Sequence, residues 1–201
     1  NFKLTPLSFR TQTLCSLTHA DFSFGESPAV RDLSLTVERG ERIALKGENG
    51  CGKSTVLKLL TGELTAQGGI VRVPGDLRIS YLPQNVSGIC GTVAEYAAAR
   101  GAEPSLVMAI LNKFNLRSEL FLRDVSGYSD GQKKKVALAV SLATPAHLYI
   151  WDEPLNFIDL VSRIQLEELI LEYRPALLFV EHDAAFRRNV ATRTVELPRP
   201  L

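Results

Sequence analysis

The chain has 201 residues, 45% of them apolar and 22% charged, and its 23 Lys and Arg against 22 Asp and Glu leave a net charge of +1. So high an apolar share with so small a net charge excludes disorder as the main state, and the length suits one domain built on one core. No uninterrupted apolar run approaches the roughly 20 residues that a helix needs to cross a bilayer. The N-terminus also lacks the basic-then-apolar pattern of a signal peptide. A near-neutral balance gives no electrostatic footprint of a duplex-binding module. Cys15, Cys51 and Cys90 are odd in number and form no CxxC pair, which argues against a disulfide framework or zinc site and favours a reducing, cytoplasmic setting. With Asn1 in place of Met and a Leu-Pro-Arg-Pro-Leu ending, the chain reads as an excised piece of something longer.

In chain order, residues 1–13 are mixed in character and read as the end of a linker. The regular pattern begins at Leu14. Leu33, Leu35 and Val37 alternate with polar neighbours as a half-buried strand does, and Glu38 to Glu41 turn the chain. Arg42 to Lys46 predict a short buried strand that runs into a glycine cluster. Ser54 to Leu60 predict a helix, with apolar residues at Val56, Leu57, Leu59 and Leu60. Ile70, Val71 and Val73, and then Leu77 to Leu82, read as further strands. The middle is Ala- and Leu-rich at helical spacing over Thr92–Arg100, Ser105–Phe114 and Asp130–Ala143, with Ser105 as the expected N-cap of the second helix. Strand and helix then alternate: His147–Trp151, Leu160–Tyr173, Ala176–Glu181, Ala184–Val190 and Arg193–Leu197. That alternation predicts an α/β fold with right-handed crossovers and a largely parallel sheet, holding a helical insert over about 92–144.

The glycine cluster carries the first chemistry. Gly47-Glu48-Asn49-Gly50-Cys51-Gly52-Lys53-Ser54-Thr55 fits GxxxxGK[ST] between a predicted strand and a predicted helix. Glycines at these places let successive N–H groups, those of Asn49, Gly50, Cys51 and Gly52 among them, turn inward onto a phosphate chain. The helix N-terminus behind them adds partial positive charge. Lys53 can reach the β and γ phosphates, and the Ser54 hydroxyl can complete a Mg²⁺ shell. Cys51 is read as a small tolerated side chain in this loop, where a bulky thiol reagent would block nucleotide binding. A site of this kind needs an acid at the end of a buried strand, and Leu148 to Trp151 lead into Asp152. Glu153 follows, where a carboxylate can polarise an attacking water. His182 ends a second apolar strand and can bring an imidazole beside the γ-phosphate.

Together these residues resemble an ATP-binding-cassette (ABC) nucleotide-binding domain, over nearly everything from Leu14 to Leu197. Gly47 to Thr55 are similar to its Walker A motif and Leu148 to Asp152 to its Walker B strand. Gln84, after Tyr81-Leu82-Pro83, resembles the Q-loop glutamine, Ile158-Asp159 the D-loop and His182 the switch histidine. Phe24 sits where the family stacks an aromatic on adenine, with Phe22 as the runner-up. Tyr128-Ser129-Asp130-Gly131-Gln132 is similar to the signature LSGGQ, departing at Tyr128 and Asp130. The resemblance implies a P-loop NTPase fold of ABC type, with a mostly parallel central sheet, an antiparallel β subdomain and a compact helical insert. It implies a domain over 14–201 that takes ATP and Mg²⁺, with Ser54, Gln84 and Asp152 toward the metal and Glu153, His182 and Gln84 toward the attacking water. It further implies that Ser129, Gly131 and Gln132 complete the site of a facing domain in a head-to-tail sandwich.

Asp130 to Val136 and Trp151 to Asp159 look most like ABC-F proteins, soluble chains of two such domains, and within them like antibiotic-resistance members that protect the ribosome. By that resemblance the piece corresponds to a second, C-terminal domain, with the ribosome as partner and the other cassette of the parent chain across the ATP. The alternative is the nucleotide-binding subunit of a membrane transporter. Lys133, Lys134 and Lys135, on an early helical turn, read first as a solvated face and second as a ribosomal RNA contact, and Arg187 and Arg188 read likewise.

Overall fold

The computed structural model describes residues 2–198. Asn1, in the expected linker end 1–13, and residues 199–201, in the expected domain 14–201, lie outside the described residues. Two sheets organise the chain. The first is antiparallel in the order β2-β1-β4, from β1 (Thr13–Phe24), β2 (Ser27–Glu38) and β4 (Gly68–Arg72). The second is parallel in the order β5-β6-β7-β3-β8, from β3 (Arg42–Lys46), β5 (Ile79–Leu82), β6 (Leu148–Asp152), β7 (Leu177–Val180) and β8 (Arg193–Glu196). The expected α/β class, with a parallel sheet and an antiparallel subdomain, is what forms. Helix α1 (Lys53–Thr61) follows β3, and α5 (Leu160–Tyr173) and α6 (Ala184–Val190) flank β7. Between β5 and β6 stand α2 (Val93–Ala98), α3 (Pro104–Lys113) and α4 (Asp130–Ala143), the helical insert.

Strand periodicity divides the core. Side chains alternate across a strand, so Leu148 and Ile150 of β6, and Leu178 and Val180 of β7, pack with Ile43 and Leu45 of β3 beneath α1 and the antiparallel sheet. Tyr149, Trp151, Leu177 and Phe179 face the other way, onto the insert, α5 and α6. Both faces are covered, which is why β6 and β7 read as continuous apolar runs with every residue buried. Trp151 is fully buried and its indole N–H donates to Ser141 Oγ at 2.8 Å.

Four expectations change. Ser105 is not the N-cap of α3: Glu103 holds that position, its carboxylate accepting from the Ser105 and Leu106 N–H groups at 3.1 and 2.8 Å, with Pro104 in the first turn. Pro has no N–H to satisfy there, so the N-cap stands two residues earlier. The strand expected around Leu33 is the second half of a 12-residue β2, paired with an equally long β1. Register shifts break that pairing around His19 and Asp32, both at positive φ (48° and 47°), and these bulges hide the period-two pattern. Residues 2–12 carry no helix or strand, yet Leu4 and Phe9 are buried in the two cores and the Leu7 N–H donates to Ala146 O at 2.9 Å.

The lysines change most. A helix turns about 100° per residue, so three consecutive positions cannot share one solvated face. Lys134 is 1% exposed and its Nζ donates to Gln84 O at 3.1 Å. Lys133 donates to Ser87 O at 3.2 Å, while Lys135 donates to Phe114 O at 2.8 Å and pairs with Asp159. Arg187 likewise turns inward, donating to Glu181 O at 2.7 Å, while Arg188 stays exposed. Lys134 is therefore buried, and Lys133 and Lys135 are half-buried and hydrogen-bonded, so the three do not form one solvated face.

Candidate functional site

Strand β3 ends beside β7 at the C-terminal edge of the parallel sheet, where open α/β sheets hold their ligands, and the chain bends there through Gly47 to Gly52. Two glycines are needed for steric reasons. Gly50 has φ 79°, and Gly52 has φ 88° with no room for a Cβ, which would stand 2.0 Å from Ala29 O. Gly52 is the N-cap of α1 and supplies no side-chain oxygen to the first helical turn, so those N–H groups are presented to an incoming anion. Lys53 Nζ donates to the Gly47 and Glu48 carbonyls at 2.8 Å each, which arches its side chain over the loop.

A cleft of about 680 Å³ opens over this bend, lined by Phe24, Asn49, Gly50, Gly52, Lys53, Ser54, Thr55, Gln84, Glu153 and His182 among others. Phe24 is 57% exposed and stands edge-on to Phe22, with ring centroids 5.0 Å apart. Phe22 belongs to the core, so of the two aromatics only Phe24 faces the cleft. Cys51 does not line it. Its side chain is buried and its Sγ occupies the space a Gly47 Cβ would need. Only its backbone stays in the loop, the N–H donating to Glu48 O at 3.2 Å. The expectation of a thiol reagent reaching Cys51 is thereby corrected, since the exposed cysteine is Cys90.

The acidic residues come together from β6 and β7, whose ends are hydrogen-bonded neighbours. Asp152 is 2% exposed, and its Oδ1 is the one buried side-chain oxygen among the described residues that lacks a hydrogen-bond partner. Burial pushes its carboxyl above the ordinary carboxylate range, the Ser54 hydroxyl opposes this and the neighbouring Glu153 adds to it. An orphaned carboxylate oxygen beside a serine hydroxyl is a donor set of the kind that a hard cation such as Mg²⁺ takes. Glu153 sits at φ 51°, and its Oε2 accepts from Gln84 Nε2 at 3.0 Å and from Asn156. His182 Nε2 stands 3.1 Å from Glu153 Oε1.

Ser129, Gly131 and Gln132 lie apart from this cleft at the start of α4. Ser129 and Gln132 form a reciprocal capping box. A Cβ on Gly131 would meet Phe157 O at 2.7 Å, so the glycine has a close neighbour within its own domain. Tyr128, in place of Leu, is buried and donates to Leu120 O.

Two contributors escape a reading by motif. Glu181, 6% exposed, accepts from the His182 and Asp183 N–H groups with Oε1 and from the Leu155 N–H with Oε2. It thus ties the turn after β6 to the turn after β7. The usable signal is the one that marks Asp152, an acid directly after a buried apolar run. Asn156, which steadies Glu153, has no such signal.

This sheet order, glycine bend and strand-end acid define a P-loop nucleotide-binding domain. Residues 30–156 match the family described as ABC transporter, and the chain belongs to it as an ABC ATP-binding domain. Curated relatives include ABC transporter F family member 5 of Arabidopsis thaliana, 32% identical over 192 residues. They also include the ATP-binding protein Uup of Escherichia coli (strain K12), 36% identical over 171 residues. These matches take in 92% and 81% of this chain but only 28% and 27% of those proteins, so the chain spans less than a third of their length. Among solved structures, one described as the ATP binding subunit of an ABC transporter superposes with a TM-score of 0.80 at 24% identity, over 93% of this chain and 87% of that one. The dimeric bacterial ABC transporter cassette MJ0796 gives 0.76 at 21%, over 92% and 94%. Both likenesses concern the fold. Among the described residues no helix is long and apolar enough to cross a membrane.

Proposed function

We propose that this domain binds and hydrolyses ATP within a soluble, cytoplasmic ABC-F protein, as the C-terminal of two cassettes, and that the parent chain acts on the ribosome in the manner of antibiotic-resistance proteins that protect it. The observation that carries the enzymatic reading is the clustering of Gln84, Glu153 and His182 at the mouth of the glycine bend, with the unpartnered Asp152 oxygen behind it. The ABC-F reading is supported by the relatives of that name and by the likeness of Asp130–Val136 and Trp151–Asp159.

In this reading Phe24 stacks on adenine, the N–H groups from Asn49 to Thr55 hold the phosphates, and Lys53 exchanges its two loop carbonyls for phosphate oxygens. Ser54, Asp152 and Gln84 would hold Mg²⁺, which neutralises phosphate charge when bound. Glu153 takes a proton from water as the water oxygen bonds to the γ-phosphorus and the bridge to the β-phosphate breaks. His182 and Gln84 hold Glu153 and the water in line. Phosphoryl transfer is mostly positioning and charge stabilisation, so Ser129, Gly131 and Gln132 of the facing cassette would complete each site, and one domain alone is a poor catalyst.

The test uses the full parent chain. Lys53→Ala should abolish ATP binding. Glu153→Gln should keep binding, lower turnover by about 100-fold or more, and hold the chain on ribosomes in a sucrose gradient. Turnover undiminished in Glu153→Gln overturns the catalytic reading. Recovery with integral membrane subunits in place of ribosomes overturns the ABC-F reading in favour of a transporter.

A further inference from the structure

Lys134 is a fully buried ammonium to which the proposed reaction gives no part. It reaches inward from α4, whose first residues carry Ser129, Gly131 and Gln132. A buried cation is costly, and a Met of similar volume would fill the same space at least as well. Packing therefore does not explain the charge. Its Nζ donates to the Gln84 carbonyl at 3.1 Å, and the Gln84 side chain in turn donates to Glu153 Oε2 at 3.0 Å. Lys133 adds a second tie from the same helix turn to the same loop, at Ser87 O. Burial lowers the Lys134 ammonium below its ordinary range, and the charges of Asp152, Glu153 and Glu181 oppose this only in part.

We infer that Lys134 is a positioning residue that transmits the placement of α4 through the Gln84 carbonyl to Glu153, linking the segment offered to a facing cassette with the acid of its own site. A shift of α4 on engagement of a facing cassette would then carry Gln84, and with it one hydrogen bond of Glu153, in or out of register. The inference rests on the hydrolytic reading above, and its test separates the two.

In the full parent chain, Lys134→Met should lower kcat by about tenfold while KM stays within about twofold, because the lost tie acts on positioning rather than on nucleotide binding. Combined with Gln84→Ala it should add less than about twofold, as expected of two members of one chain of contacts. Without nucleotide, amide exchange in the peptide 84–89 should rise in Lys134→Met while β6 and α4 keep their protection and the melting temperature does not fall. A wild-type kcat in Lys134→Met, a loss fully additive with Gln84→Ala, or exchange that rises equally in β6 and α4 would overturn the inference. Should the wild-type chain not turn over ATP, the proposed function fails, and the exchange experiment still decides whether Lys134 holds the loop.

Discussion

At the residue scale, the site keeps one group in an unfavourable state. Asp152 is buried with an unpartnered oxygen, and burial raises its carboxyl above the ordinary value. A raised native pKa means the folded state holds its proton more firmly than the unfolded state, so stability falls as pH rises past the ordinary value of 3.8. Asp152→Asn should therefore raise the melting midpoint of the nucleotide-free chain at neutral pH by a few degrees and weaken Mg²⁺-dependent ATP binding. Differential scanning fluorimetry with and without Mg²⁺-ATP measures both. Cysteine chemistry gives a second expectation. Burial pushes the Cys15 thiol up to about 12, Cys51 is buried and Cys90 is exposed. A bulky maleimide should thus modify Cys90 alone in the native chain, with ATP affinity unchanged, as read by mass spectrometry and a binding titration.

At the element scale, helix ends do much of the organising. Asp159 caps α5 by accepting from the Ser162 N–H at 3.0 Å and also pairs with Lys135 of α4, so one carboxylate links the two helices. Burial alone would raise its pKa, but Lys135 and the Ser162 N–H and hydroxyl together bring it down to about 2. The native value lies below the ordinary 3.8, so the stabilisation is complete above 3.8 and is lost as pH falls toward 2. Asp159→Asn keeps an N-cap acceptor and removes the charge. Acid unfolding followed by circular dichroism should show a shallower loss of stability for the variant across that window. Arg163 ties the same helix to the turn that bears His182, through two bonds to Asp183.

At the scale of the whole molecule, the segment before β1 is part of the body. Leu4 is 5% exposed and sits in the core cluster that contains Trp151 and the insert. Leu4→Ala should cost about 2–5 kcal/mol of unfolding free energy, measured by urea denaturation, and a freely hanging linker would show no such loss. The parallel sheet brings strand ends together that are far apart in sequence, and the site is assembled from those ends. Gln84 follows β5, Glu153 follows β6 and His182 follows β7, and the order β5-β6-β7 makes the three turns neighbours.

Much of this was legible in the residues. Strand β3 and helices α4, α5 and α6 lie where local apolar spacing puts them, and the bend from Gly47 to Thr55 follows from glycines that only that backbone requires. These features depend on neighbours a few positions away, so the amino-acid order determines them directly. The inward course of Lys133 to Lys135, the turning of Cys51 into the core, the docking of Leu4 and the role of Glu181 depend on partners tens of residues distant. Periodicity assigns a side chain to a face of its element but says nothing of what that face meets. Only the packing of α4 against the loop after β5, and of β6 against β7, decided which charges are buried and paired.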